Sequence, residues 1–345
     1  LPCSKQPPAL SLFRQFSAPV HWEASQEPAE LFTLLACDND PFARWDAGQQ
    51  LWRRLLLARA SGSPNADLEG QMLEALTKLL APDGEQDSAV LSTLMAFPGG
   101  PELEALQQEA DPPALYRAAC ELREQFGQSL APLLRERLNG VAPDLALAWP
   151  EGQGQRQLTG LVWAWLAAAG DSAVRKAALA AVGGPSMTLA RAALRALQPL
   201  DCPEREEALR QFHDRWQEKP VIFDSWFALE ASTPRADGLQ RVASLLQHPR
   251  FDPMAPNAVR AVLGGFAGNL LVFHAEDGSG YRFMAEQIIA LDQRNAITAS
   301  RLAKVFSRWG TYSSKRQALV KAALDQLSAA QLSSNTREVV QMMLG

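Results

Sequence analysis

The stretch "PFARWDAGQQLWRRLLLARA", Pro41 to Ala60, decides the fold class. Phe42, Trp45, Leu51, Trp52 and Leu55 recur at roughly three-and-four spacing, the period of one helix face. Asp40 stands before it as an N-cap, and Pro41 fits the first helical position, where a missing N–H costs nothing. The same grammar repeats outward. "NADLEGQMLEALTKLLA" starts on Asn65 as cap and ends before Pro82; "DSAVRKAALAAVGG" caps with Asp171 and stops on Gly183 and Gly184. "CPEREEALRQFHDRW", "APNAVRAVLGGFAG", "NAITASRLAKVFSRWG" and "NTREVVQMMLG" follow suit.

Punctuated by Pro, Gly, Asp and Ser, the chain reads as roughly fifteen short helices. Short helices with short loops pack as antiparallel hairpins, and a long series stacks into a superhelix. The expected class is therefore all-α, an irregular HEAT- or armadillo-like array. No strict period of about 34 or 40 residues survives, so the array is degenerate. Residues 97–102 and 150–155 read as loops within one helical unit.

The first twenty residues differ. In "ALSLFRQFSAPV", Leu10, Leu12 and Phe16 fall on one side at period two, with Arg14 the exception and Pro7, Pro8 and Pro19 around them. This predicts a strand over residues 10–16. One strand cannot stand alone, so its sheet is expected outside this chain. A start at Leu1, with no charged and apolar leader, reads as a fragment or processed product.

At 345 residues, 47% hydrophobic and 21% charged, the chain is a folded, soluble type with room for more than one core. A net charge of -5 argues against nucleic acid as partner, and no apolar run reaches a membrane span of about 20 residues. Cys3, Cys37, Cys120 and Cys202 form no CxxC pair and read as free thiols of a reducing compartment, so a cytoplasmic setting is expected. Charge is uneven. Residues 61–116 hold ten acids and one base, Lys78, whereas residues 256–316 hold eight bases and four acids. The plain reading is solvated helix faces; the sharper one is an electropositive surface that meets an anion.

Little of this supports chemistry within the chain. His21, His213, His248 and His274 show neither HExxH nor another pair at i, i+4, so no metal site is expected. GxSxG is absent, and Ser279 in "DGSGY" lacks the strand of a nucleophile elbow. Gly278 and Gly280 are only a fragment of a phosphate-loop motif. "FHAEDGSGYRF" (273–283) therefore reads as a loop ending in a capped helix start, with Asp277 or Ser279 accepting from free N–H groups. A basic face is the better candidate. Arg301, Lys304 and Arg308 recur on one side of a helix, opposite Ala299, Leu302, Phe306 and Trp309. On the helix from Asn257, Val259, Val262, Leu263 and Phe266 make the buried stripe, and Asn257, Arg260 and Gly264 lie opposite. An Arg fork facing a cavity holds a carboxylate bidentately.

Taken in order, "PALSLFRQFSAPVHW", "DNDPFARWDAGQQL", "VIFDSWFALEAS", "LLQHPRF", "PNAVRAVLGGFAG", "FHAEDGSGYRF", "RNAITASRL" and "KRQALVKAALDQL" closely resemble the C-terminal part of bacterial aminopeptidase N, a gluzincin zinc metallopeptidase family. The resemblance implies that residues 1–20 are the last strand and linker of an upstream β-sandwich and residues 21–345 the C-terminal helical domain. It implies that HExxH, the oxyanion Tyr and the GxMEN segment lie upstream, with zinc in that catalytic domain and none here, so that this chain alone is inert. The helical domain would cap the catalytic domain of the same polypeptide, as a monomer, and enclose a cavity for peptide substrates. Arg260 and Arg301 match positions that face that cavity, with Lys304 and Arg308 as weaker candidates. The alternative is a stand-alone helical scaffold that binds protein partners.

Overall fold

The helices begin where capping chemistry allows. The structure, a computed structural model, describes residues 9–18, 26–140 and 150–345. In α1 (Pro28–Cys37), Glu27 and Glu30 each accept the other's backbone N–H. Asp40 accepts the Ala43 N–H at 3.0 Å to open α2 (Pro41–Ala60), and Asn65 accepts the Leu68 N–H at 3.0 Å to open α3 (Ala66–Leu80). Then come α4 (Ser88–Met95), α5 (Gly100–Ala105), α6 (Pro112–Ser129), α7 (Ala131–Gly140), α8 (Gln153–Ala168) and α9 (Ser172–Val182), the last capped by Asp171. α10 (Met187–Leu197), α11 (Pro203–Trp216), α12 (Pro220–Ser232) and α13 (Gly238–Leu245) follow. α14 (Pro256–Val259) passes through a π turn, Arg260–Gly264, into α15 (Gly265–Ala267). α16 (Leu270–Phe273), α17 (Ser279–Asp292), α18 (Ala296–Ala303), α19 (Ser314–Ala329) and α20 (Ser334–Leu344) complete the described chain. It is all-α: among the described residues there is no strand. The two stretches expected as loops each run into a helix, α5 at Gly100 and α8 at Gln153.

Residues 10–16 depart from the expected strand. Arg14–Phe16 form a 3-10 turn, with Phe13, Gln15 and Phe16 all at positive φ. A strand needs a partner for its N–H and C=O groups, and none exists among the described residues. Here the Gln15 N–H instead donates to Asp40 at 2.7 Å, and Arg14 pairs with Asp38 at 2.7 Å. The expected boundary near residue 20 lies outside the described residues.

The chain forms two compact units. The first comprises Leu1–Leu103 and Arg117–Ala196. Its centre is aromatic: the Trp52 ring lies 4.8 Å from Phe97, 5.9 Å from Phe126 and 6.2 Å from Trp165. Trp52 donates its indole N–H to the Leu94 carbonyl at 3.1 Å, so the ring is buried without an orphaned donor. Gly127 is required where α6 meets α8, since a Cβ there would stand 2.4 Å from the Trp165 oxygen.

The second unit comprises Glu104–Tyr116 and Leu197–Gly345. Phe266, Phe273, Tyr281 and Phe306 pack edge to face and stacked in its core. Buried Glu230 of α12 accepts from Arg241 at 2.8 and 2.9 Å. Buried Asn269 donates to the Thr233 carbonyl at 2.9 Å and accepts from the Val272 N–H, closing α12 and opening α16 with one side chain. Glu104–Tyr116 joins this unit through Arg308, Thr311 and Arg316. The Ala110 N–H donates to Thr311 at 2.8 Å, Glu104 pairs with Arg308 at 3.2 Å, and Asp111 stands 3.9 Å from Arg316.

The last helix is held by a distant carboxylate. Asp292, at the end of α17, accepts from the Ser333 N–H and hydroxyl at 2.6 Å each and from the Thr336 hydroxyl at 2.5 Å. Burial raises its pKa, but the Ser333 and Thr336 bonds outweigh this and leave it below the ordinary 3.8. A depressed carboxylate stabilises the fold above its unfolded pKa and loses that contribution as pH falls through the folded value. Asp292→Ala is expected to cost about 2–3 kcal/mol in urea unfolding at pH 7, since hydrogen bonds to a charged group are lost and their donors stay buried. Amide exchange should speed up first in Ser334–Leu344. Unchanged unfolding would refute this role.

Candidate functional site

The basic residues singled out by sequence lie on a helix that is not uniformly α. Gly264 and Gly265 sit at the end of the π turn and the start of α15. A Cβ on Gly265 would stand 3.0 Å from the Ala228 oxygen of α12, and one on Gly264 would meet the Arg260 stem at 3.4 Å. The glycines thus let α12 approach and give Arg260 room to lie along the helix surface. π turns insert one extra residue and re-aim the side chains around them. Val259, Val262, Leu263 and Phe266 are buried, while Asn257 and Arg260 are exposed, as the periodicity predicts.

The π turn packs against both α12 and α18. This puts Arg260 and Arg301 on neighbouring elements. Arg260 donates to the Asn257 side-chain oxygen at 3.0 Å, which anchors one arm of its fork. On α12, which packs against the π turn, Asp224 is half-buried. Burial pushes the Asp224 carboxyl above its ordinary range, and the Arg260 charge only partly offsets this. The Asp224 carboxylate accepts no hydrogen bond from the described residues. Arg301, in the last turn of α18, is exposed, and its guanidinium has no ion-pair or hydrogen-bond partner among them. Lys304 is exposed beside it.

Arg308 does not share that face. It turns to Glu104, whose carboxyl is pushed up by burial and eased back by Arg308. Phe306 and Leu302 are buried as expected, whereas Trp309 is only half-buried and donates to the Met343 carbonyl at 2.9 Å. Sequence reading missed Asp224. The only available signal was a lone acid on an otherwise apolar helix start.

"FHAEDGSGYRF" is a capped helix start. Gly278 precedes α17 at φ 70°, and the Ser279 N–H donates to Asp277 at 2.9 Å. A Cβ on Gly280 would meet the Phe273 oxygen at 2.4 Å, so only glycine fits there. His274 is buried, with Nδ1 2.7 Å from the Tyr281 hydroxyl, and its carbonyl accepts from Arg316 at 2.6 Å. Glu276 is exposed, 3.7 Å from Lys315. Among the described residues no three of His, Cys, Asp and Glu gather as a metal site, and no helix is long and apolar enough to cross a membrane.

The family described as "Domain of unknown function (DUF3458_C) ARM repeats" matches residues 28–345. The chain belongs to this family. The ARM-repeat domain is 34% identical to aminopeptidase N of Caulobacter vibrioides, over 99% of this chain and 40% of that protein. It is 33% identical to aminopeptidase N of Escherichia coli K12, over 93% of this chain and 37% of that protein. A crystal structure of Legionella pneumophila aminopeptidase A in complex with aspartic acid superposes with a TM-score of 0.86 at 26% identity, covering 97% of this chain and 40% of that one. The chain thus spans about two-fifths of the length of these relatives, and it is the C-terminal helical domain of aminopeptidase N-like proteins.

His274 makes the ARM-repeat domain acid-sensitive. Burial, then the Arg316 charge, lowers its pKa from 6.5 to about 3. Between those values the unfolded chain binds the proton and the folded one does not. Stability is therefore full above pH 6.5 and falls as pH drops, by about 2 kcal/mol at pH 5 from this group. His248 is depressed too, chiefly by burial, and adds in the same direction. Urea unfolding of His274→Gln should show a shallower pH dependence between 7.5 and 5 than the unsubstituted protein. An equal slope would refute the assignment.

Proposed function

We propose that this domain binds the far end of peptides whose N-terminal residue is removed by another part of the same polypeptide. The observation that carries the reading is the pair Arg260 and Arg301. Both are exposed, they stand on neighbouring elements of one unit, and Arg301 lacks any internal counter-charge among the described residues. A guanidinium with free N–H groups binds carboxylates and carbonyls, and does so with defined geometry. Lys304 adds positive charge to the same face, whereas Arg308 is committed to Glu104.

The relatives support this. They carry the name aminopeptidase N, and the domain spans well under half of each. A solved neighbour named aminopeptidase A holds aspartic acid, itself a product-like amino acid. On this reading the zinc chemistry that polarises the scissile carbonyl belongs to the upstream catalytic domain. The helical domain supplies affinity and limits entry to peptides and chain ends. The enzyme works in the cytoplasm as a monomer.

The test uses the full-length protein. Arg260→Ala and Arg301→Ala should each raise KM for tripeptides by about ten-fold, the loss of one charge-assisted contact. Neither should raise KM for an alanyl anilide, which has no far end to hold. Equal effects on both substrates, or none on either, would overturn the reading.

A further inference from the structure

The turn that leaves α13 is fastened by one imidazole. His248 Nδ1 accepts the Arg250 N–H at 3.1 Å, two residues on, as the side-chain oxygen of an Asx turn does. The His248 carbonyl accepts the Phe251 N–H at 2.8 Å. The half-buried ring is wedged against Phe223, Trp226 and Phe227 of α12, with centroids 5.5, 5.5 and 5.4 Å away, and lies 5.7 Å from the His213 ring of α11. Phe251 packs in behind it, 6.1 Å from Phe227. A ring nitrogen that accepts a backbone N–H carries no proton, so this turn is made for the neutral imidazole. A proton on Nδ1 would face the Arg250 N–H donor to donor and leave both unpaired.

The charges of this corner do not favour that proton. Burial, then the charges of His213, Arg250 and Arg241, hold the His248 pKa below 6.5. The nearby carboxylates are already engaged. Asp214 meets His213 Nδ1 and the Arg210 guanidinium at 3.0 Å each, Glu218 pairs with Arg250, and buried Glu230 holds Arg241 and Arg235. The closed turn therefore has its full stability above pH 6.5 and loses it as pH falls through the depressed value.

We propose that His248 is an acid-released latch: its neutral ring clamps the turn against α11 and α12, and a proton on Nδ1 frees the turn before the second unit as a whole unfolds. The turn leads into α14, which carries Asn257, so acid loosens the entry to the helix of Arg260 first. The latch needs no peptide-binding role for the domain.

Hydrogen exchange of the full-length protein tests this, read by mass spectrometry on peptides covering residues 247–252 and, for reference, α19. Rates are corrected for the intrinsic pH dependence of exchange. Between pH 7.5 and 5 the protection of the turn should fall by at least about three-fold, with a ceiling of about ten-fold per pH unit because one proton is taken up. α19 should keep its protection. His248→Asn puts a non-titrating oxygen where Nδ1 was, so the turn should stay protected at both pH values. His248→Ala offers no acceptor, and the turn should be open at both. Equal protection of the unsubstituted turn at pH 7.5 and 5 would overturn the latch, as would loss of protection in α19 in step with it. So would an acid-dependent loss that persists in either variant, the result expected if His213 were the titrating group. A turn that is unprotected in His248→Asn at pH 7.5 would overturn the clamp at Nδ1.

Discussion

The helix that carries Arg260 crosses α12 at Gly265, where a Cβ would stand 3.0 Å from the Ala228 carbonyl oxygen. Backbones meet this closely only when one of them has no side chain. Because they do, the π turn before the crossing is held between α12 and α18, and its buried face stays filled by Val262, Leu263 and Phe266. The polar residues left over, Asn257 and Arg260, are exposed and hydrogen-bonded to each other. The candidate site is thus a by-product of packing: apolar burial fixes the helix, and the helix fixes the charges.

The surroundings are built to hold that arrangement still. Asn269 closes α12 and opens α16, while the buried Glu230 ties α12 to Arg241. Beneath the start of α17, His274 and Tyr281 share a short contact that Arg316 completes. These are polar groups satisfied inside the protein, and each would be costly to leave unpaired. Rigidity matters because a fork that is already oriented loses less entropy when a ligand arrives.

Much of this was legible in sequence. Asp40, Asn65 and Asp171 act as the caps their residue types promised, and the Val259 to Phe266 stripe is buried. These signals are local, written within a few residues of where they act. What failed to show is long-range. Glu104 captures Arg308 across the sequence and removes it from the basic face. The π turn that carries Arg260 is held by α12 and α18, and no spacing rule foretells that turn. The alternation in residues 10–16 signalled a strand, but pairing decides strands, and those residues turn instead toward Asp38 and Asp40.

The central claim is that the basic face of the second unit receives the far end of a peptide. A crystal structure of the full-length protein with a non-hydrolysable tripeptide tests it most directly. The account predicts a carboxylate or carbonyl of the peptide's far end within about 3 Å of the Arg260 or Arg301 guanidinium, the usual distance of a charge-assisted hydrogen bond. An ordered peptide whose far end touches neither arginine would contradict it.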